Sequence, residues 1–352
     1  MIIGIQPDRQ DFLRDNYSKK WAEFLQARGV TVRWLNLLAI DALEQVYGCN
    51  GVMWRWAHTP QDKQSARNIL YTIEKVLGIS VYPDVSTAWH FDEKIAQYYL
   101  LQALKAPIPS TWIFWDRDSA LSWVGSEASY PMVFKLSAGA GSTNVIKIAD
   151  AAQAQTIISR MFDRGVFSNT FHRKRHPKAF VRFGRSARDL LRRVPDGIRF
   201  TLTGQYPALH PILWRPEAAY AYFQEFLPDN AFDTRITVIG NRAFGFRRLN
   251  RLGDFRASGS GHIEYDPQEI DLRCVEIAFD VSTRGGFQSM AYDFLLREGQ
   301  PVIGEISYAY LDSAVQACPG HWDRELNWCA GSMWPEEAQI EDFLVRISQR
   351  TQ

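Results

Sequence analysis

Apolar and polar positions along the first hundred residues alternate between two periods. Short apolar runs at Ile2–Ile5, Val30–Leu35 and Gly51–Trp54 read as strands, and Gly78 turns into a fourth that ends at Pro83. Between them, apolar residues recur at helical spacing over Phe12–Ala27, which Arg28-Gly29 ends, and over Gln64–Leu77. Strands separated by helices of this length predict a parallel, doubly wound sheet. One more amphipathic helix is predicted from Phe91 to Leu104.

From Ser110 the rhythm changes to antiparallel strands. Candidates are Thr111–Phe114, Met132–Leu136, Asn144–Ile148, Ala221–Phe226, Arg235–Ile239 and Ala243–Arg248, with helices over Ala151–Phe162, Gln268–Ser282 and Glu336–Arg350. The stretch from Tyr292 to Ser307 reads as a hairpin. A turn centred on Gly299 sets Asp293 directly across from Glu305, with Ser307 on the same face. Opposed Cβ atoms lie only about 5 Å apart, where like charges destabilise a sheet. The hairpin therefore calls for a cation.

Length and composition narrow the class. A chain of 352 residues is longer than one core usually grows, so two or three subdomains are expected. Hydrophobic content of 46% and charged content of 22% are those of an ordinary globular protein, and no apolar run is long enough for a membrane span. The N-terminus lacks the basic and apolar segments of a signal peptide. The scattered cysteines, Cys49, Cys274, Cys318 and Cys329, suit a reducing compartment, so a cytoplasmic protein is expected. No G-x-G-x-x-G follows the first strand, so a dinucleotide site is not indicated, and no motif supports nucleic-acid binding. The net charge of +1 hides a basic block at 172–193, nine Lys or Arg against Asp189 alone. That block reads either as a contact for an anionic partner or as a solvated surface helix. Trp322, Trp328 and Trp334 are expected to pack a C-terminal flap.

Several constellations could carry chemistry. Lys135 ends a strand before a small-residue loop in which Gly139, Gly141, Ser142 and Thr143 leave backbone N–H groups open to an anion. A plain hairpin turn is the alternative. Glu225 sits beside Gln224 among Phe223, Phe226 and Leu227, an odd place for a carboxylate without a partner. Asp233 and Arg235 share one strand face, as a site or as a structural ion pair. Arg242, Arg247, Arg248, Arg251 and Arg256 surround a Gly- and Ser-rich loop, as a phosphate clamp or an exposed basic turn. Trp54, Trp56 and His58 follow a buried strand at its C-terminal end, where ligands of open α/β sheets gather, although the two tryptophans could equally be core.

The order of these residues resembles the ATP-grasp superfamily, closest to the branch of the ribosomal-protein glutamate ligase and the glutathione synthetase-like enzymes. "FDTRITVIGNRAFGFRRLNRLGDFRAS", "AYDFLL…PVIGEIS", and "FDEK" followed by "PIPST" carry the resemblance, which spans roughly residues 85–315. It implies a fold of mixed α/β and α+β class. An N-terminal α/β domain (1–88) would precede two ATP-grasp subdomains (89–215, with a basic insert at 163–200, and 216–352). It also implies ATP and Mg²⁺. Lys94, Lys135 and the loop of Gly139, Gly141 and Ser142 would meet phosphates. Gln224, Glu225, Phe226 and Leu227 would hold adenine, and Asp229 or Asp233 the ribose. Arg256, with Arg235, would face the transferred phosphoryl group, and Asp293, Glu305 and Ser307 would ligate the metal.

The implied activity is carboxylate–amine ligation through an acyl phosphate, on small-molecule acids and amines. The basic block 172–193, longer than that branch usually carries, favours a glycan or other anionic substrate, or peripheral contact with an anionic surface, and a helix packed on its own domain is the alternative. An ATP-dependent kinase and a nucleotide-binding protein without catalysis are the alternatives. Two positions depart from the pattern. Ser307 stands where the last metal ligand is usually Asn, and Ser258 replaces the Asn that follows the G-D-F-R block.

Overall fold

A computed structural model describes residues 1–8, 17–139, 144–166, 216–250 and 261–350. Contacts divide the chain into two units: Met1–Ala57 with Asp62–Pro109 and Leu227–Gln352, and His58–Gln61 with Ser110–Phe226.

The first unit opens with four parallel strands, β1 (Ile2–Ile5), β2 (Thr31–Trp34), β3 (Gly51–Met53) and β4 (Ser80–Tyr82), in the order β2-β1-β3-β4. This is the doubly wound sheet that the alternating periods predict. The helix Tyr17–Ala27 buries Tyr17, Trp21 and Leu25 at helical spacing, while residues 12–16 of its predicted start lie outside the described residues. The predicted helix at 64–77 begins earlier, as Pro60–Tyr71, and its last turn widens to a π-helix at Thr72–Val76. The C-terminal helix Pro335–Arg350 buries Ile340, Phe343 and Ile347 in one core with β1 and β3. At Gly51 a Cβ would come within 2.9 Å of Phe343 and Ile347, so glycine lets helix and strand approach.

The second unit holds β5 (Thr111–Phe114), β6 (Met132–Lys135), β7 (Val145–Ile148) and β8 (Ala221–Glu225), antiparallel in the order β5-β8-β6-β7. Trp112, Phe114 and Phe223 pack with Trp123, and Phe134 packs with Phe223. Trp123 stands on a helix, Arg117–Ser126, that the sequence pattern does not predict. Only Ala120, Trp123 and Val124 of that helix are buried, too few to mark a helical stripe.

The chain re-enters the first unit in a seven-stranded sheet. Its strands are β9 (Phe232–Ile239), β10 (Arg242–Leu249), β11 (Ile263–Glu264), β12 (Ser289–Arg297), β13 (Gln300–Ser307), β14 (Gly320–Trp322) and β15 (Trp328–Ala330). The order is β13-β12-β9-β10-β14-β15, with β11 on β10. One face, with Ile236, Met290, Tyr292 and Phe294, is covered by the helix Leu272–Gly285 and shares its core with the first sheet. Trp322 and Trp328 meet edge-on at 4.7 Å across the last hairpin.

Candidate functional site

The opposite face of the large sheet is apolar at one end and charged at the other. Ile239, Phe244, Phe246 and Ala291 form its core. Continuing along the same strands at period two, the face reaches Asp233, Arg235, Arg248 and Asp293. Two registers bring these together. Gly240 and Asn241 form a two-residue hairpin loop that pairs Arg242 with Ile239, and counting outward sets Arg248 opposite Asp233. Gly240 has φ +57°, and a Cβ there would strike the Asp342 carboxylate. On the other side of β9, Asp293 of β12 stands opposite Arg235.

Arg235 Nε and Nη2 donate to Asp293 Oδ1 at 2.6 Å and Oδ2 at 2.8 Å. Arg248 Nε and Nη2 donate to the two oxygens of Asp233 at 2.6 Å each, and its Nη2 also lies 2.7 Å from Asp293 Oδ2. Asp233 and Arg235 are thus both in ion pairs, but with neighbouring strands and not with each other. Arg248, on the sequence one of five arginines around a loop, is the buried bridge between two carboxylates. Of the others, Arg242 pairs with Glu341 and Asp342 and Arg247 with Glu264 and Glu269, while Arg251 and Arg256 lie outside the described residues. Burial raises the Asp293 pKa, but Arg235 and Arg248 together outweigh it and hold the carboxyl below its usual range. Burial and then the Asp293 charge push Asp233 up, against the opposing pull of Arg248 and Arg235.

Asp293 does stand directly opposite Glu305, and Ala291 opposite Ser307, but not through a turn centred on Gly299. The loop is the two residues Glu298-Gly299, both at positive φ, joining Arg297 to Gln300. Its register would miss Glu305 by one residue. A bulge between the Asp293 and Phe294 pairs, where Gly304 has no partner, restores it. The cation that the opposed carboxylates call for is partly supplied by protein: Arg235 and Arg248 at Asp293, and Lys94 Nζ 3.4 Å from Glu305 Oε1. Lys94 is buried at the start of the helix Lys94–Ala103. The Ser307 hydroxyl donates to Ala309 O at 2.7 Å and accepts the Ala309 N–H at 3.2 Å.

These donors fit Mg²⁺ by their chemistry. Two carboxylates at cross-strand spacing are hard oxygen ligands, and the Glu305 side chain is 33% exposed. Among the described residues no three or more His, Cys, Asp or Glu cluster in a way that could cage a metal alone. One or two carboxylates completed by phosphates is the usual Mg²⁺ arrangement.

In the second unit Lys135 ends β6, and Gly139 has φ +121°, where a Cβ would lie 2.1 Å from Asn144 Nδ2. Asn144 Nδ2 donates to Ala138 O at 2.6 Å and closes the loop. At the loop's base, Glu217 accepts the Ser137 N–H at 2.8 Å, the Ala138 N–H at 3.2 Å and the Tyr220 hydroxyl at 2.5 Å. The backbone donors found there are those of Ser137 and Ala138, before the residues expected to meet an anion, and the anion they hold is a side chain that the sequence does not single out. Gly141, Ser142 and Thr143 lie outside the described residues, as does the basic block 172–193. Glu225 accepts the Ser110 N–H at 2.9 Å, and Gln224 Nε2 donates to Thr111 Oγ1 at 2.9 Å, so both side chains tie β8 to the start of β5. Phe226 lies under Lys147 Nζ at 3.8 Å, and the chain passes from one unit to the other between Phe226 and Leu227. Asp229 is exposed at φ +61°.

Trp54 and Trp56 are core. Both are 3% exposed, and Trp56 meets Phe91 and Tyr308 at ring distances of 6.1 and 5.0 Å.

No protein-family model and no curated protein matches the sequence. Solved structures do match the fold. D-alanine–D-alanine ligase from Bacillus anthracis superposes with a TM-score of 0.57 at 12% identity, covering 100% of this chain and 98% of that one. D-cycloserine synthetase DcsG gives 0.57 at 12%, with 99% and 100% covered. A RimK domain ATP-grasp protein from Sphaerobacter thermophilus gives 0.54 at 16%, with 98% and 100% covered. The chain has the ATP-grasp fold.

Proposed function

We propose that this chain is an ATP-dependent carboxylate–amine ligase that works with Mg²⁺. The observation that carries the reading is the charged end of the large sheet, where Lys94, Arg235 and Arg248 interleave with Asp233, Asp293 and Glu305. A structural cluster needs no such concentration, whereas polyphosphate with a divalent cation needs both signs at close quarters. The shared fold with D-alanine–D-alanine ligase and D-cycloserine synthetase supports the same reading.

In this reading Lys94, Lys135 and the loop of Gly139, Gly141 and Ser142 bind phosphates, and Gln224 to Leu227 hold adenine through backbone groups. Asp229 or Asp233 meets the ribose. Asp293 and Glu305 hold Mg²⁺, with Ser307 beside them. Bound there, Mg²⁺ neutralises charge on the phosphoryl group in transfer. Arg235 and Arg256 steady that group while a substrate carboxylate oxygen bonds to the γ-phosphorus and the bond to the ADP oxygen breaks. An amine nitrogen then bonds to the acyl carbon, phosphate leaves with the carbon–oxygen bond pair, and the amine loses a proton. The chain supplies position and charge, with no covalent nucleophile.

The test is release of ADP and phosphate from Mg-ATP with pooled carboxylates and amines. Release only when both pools are present supports the ligase. A phosphorylated product from a single acceptor would sink it.

A further inference from the structure

The charged sheet end also bears on how the metal enters, granted the nucleotide-binding role given above. We propose that Arg248, together with Arg235, keeps Asp293 closed to a free divalent cation, so that metal is taken up only together with nucleotide phosphates.

Three guanidinium N–H groups already occupy the Asp293 carboxylate, one on Oδ1 and two on Oδ2. The Arg248 side chain is 8% exposed and grips Asp233 with two bonds of 2.6 Å, so it cannot leave for water without abandoning a second buried carboxylate. Across from Asp293, Lys94 approaches Glu305. Among the described residues, Lys94, Arg235 and Arg248 match Asp233, Asp293 and Glu305 in number, and these six charges cancel. A bare cation therefore meets no net attraction, and binding Asp293 would strand a buried guanidinium. A polyphosphate removes that obstacle. Its oxygens accept the guanidinium N–H groups, Arg–phosphate pairs being as strong as Arg–carboxylate ones, and Asp293 is then released to ligate metal. Arg248 is thus a positioning residue that couples the two ligands, and the coupling is reciprocal.

Equilibrium dialysis of Mn²⁺ against the full chain, with and without ADP, tests this, with ADP retention read by absorbance in the same cells. The wild-type chain should retain Mn²⁺ at least tenfold more weakly without ADP than with it. The double variant Arg248→Gln/Asp233→Asn, which keeps the cluster neutral, should retain Mn²⁺ without ADP at least tenfold more tightly than wild type. Equal wild-type affinity for Mn²⁺ with and without ADP, while ADP itself binds, overturns the coupling and leaves the nucleotide site standing. The same holds if the folded double variant is no tighter than wild type. Failure of the wild type to retain ADP under any condition overturns both. Should the double variant not fold, the wild-type comparison alone decides.

Discussion

Two buried ionic clusters in the first unit solve the same problem in opposite ways. At the sheet end, strand register interleaves charges so that each carboxylate meets a guanidinium or an ammonium group. Near the C-terminal helix, Lys20 alone faces Asp312 and Glu336. It hydrogen-bonds Asp312, lies 3.5 Å from Glu336 Oε1, and rests 3.5 Å from the centre of the Trp334 ring. Glu336 is 0% exposed and lies beside the Asp312 carboxyl. Burial and then the Asp312 charge push its pKa up to about 8. The first cluster is balanced by fixed charges, the second by a proton.

The largest expected effect breaks the fixed-charge cluster. Arg248→Met leaves Asp233 and Asp293 without their shared cation and should cost about 3–5 kcal/mol, read as a lower denaturation midpoint. A loss below 1 kcal/mol would mean that the bridge carries no weight.

The proton-balanced cluster predicts a pH dependence. Folded Glu336 keeps a proton that the unfolded chain releases above its ordinary pKa, so this group's contribution to stability falls as pH rises from the unfolded value towards about 8. Glu336→Gln should flatten that slope and exceed wild type by up to about 5 kcal/mol at high pH, with little difference in acid. Parallel pH profiles for the two proteins would refute the assignment.

Smallest is Ser307→Asn, which gives back the amide usual in the resembling ligases. Stability should change by less than about 1.5 kcal/mol, the worth of one hydrogen bond. Mn²⁺ retention in the presence of ADP should tighten severalfold. Unchanged or weaker retention would separate Ser307 from the metal.

How much of this was legible in the sequence depends on how local each contact is. Asp233 opposite Arg248 follows from counting outward from Gly240-Asn241, a two-residue loop with one register. Asp293 opposite Glu305 was legible as a pair, although the turn and the Gly304 bulge that together produce it were not. Arg235 opposite Asp293 joins strands 58 residues apart, and no local pattern states that register. Glu217 was invisible because an acid beside a proline in Arg-Pro-Glu looks like any surface turn, yet it holds the Ser137 and Ala138 N–H groups. Glu336, in Pro-Glu-Glu, likewise resembles a solvated first helical turn, and it is packing of its helix against the helices Tyr17–Ala27 and Asp312–Gln316 that the local pattern does not state.

Calorimetric titration of Mg-ATP into the wild-type chain and Asp293→Asn, each shown folded by circular dichroism, tests the charged sheet end most directly. One saturable site per wild-type chain is predicted, with affinity at least tenfold lower in the variant. Undiminished binding by Asp293→Asn, or no saturable site in the wild type, would contradict the placement of metal and phosphates there.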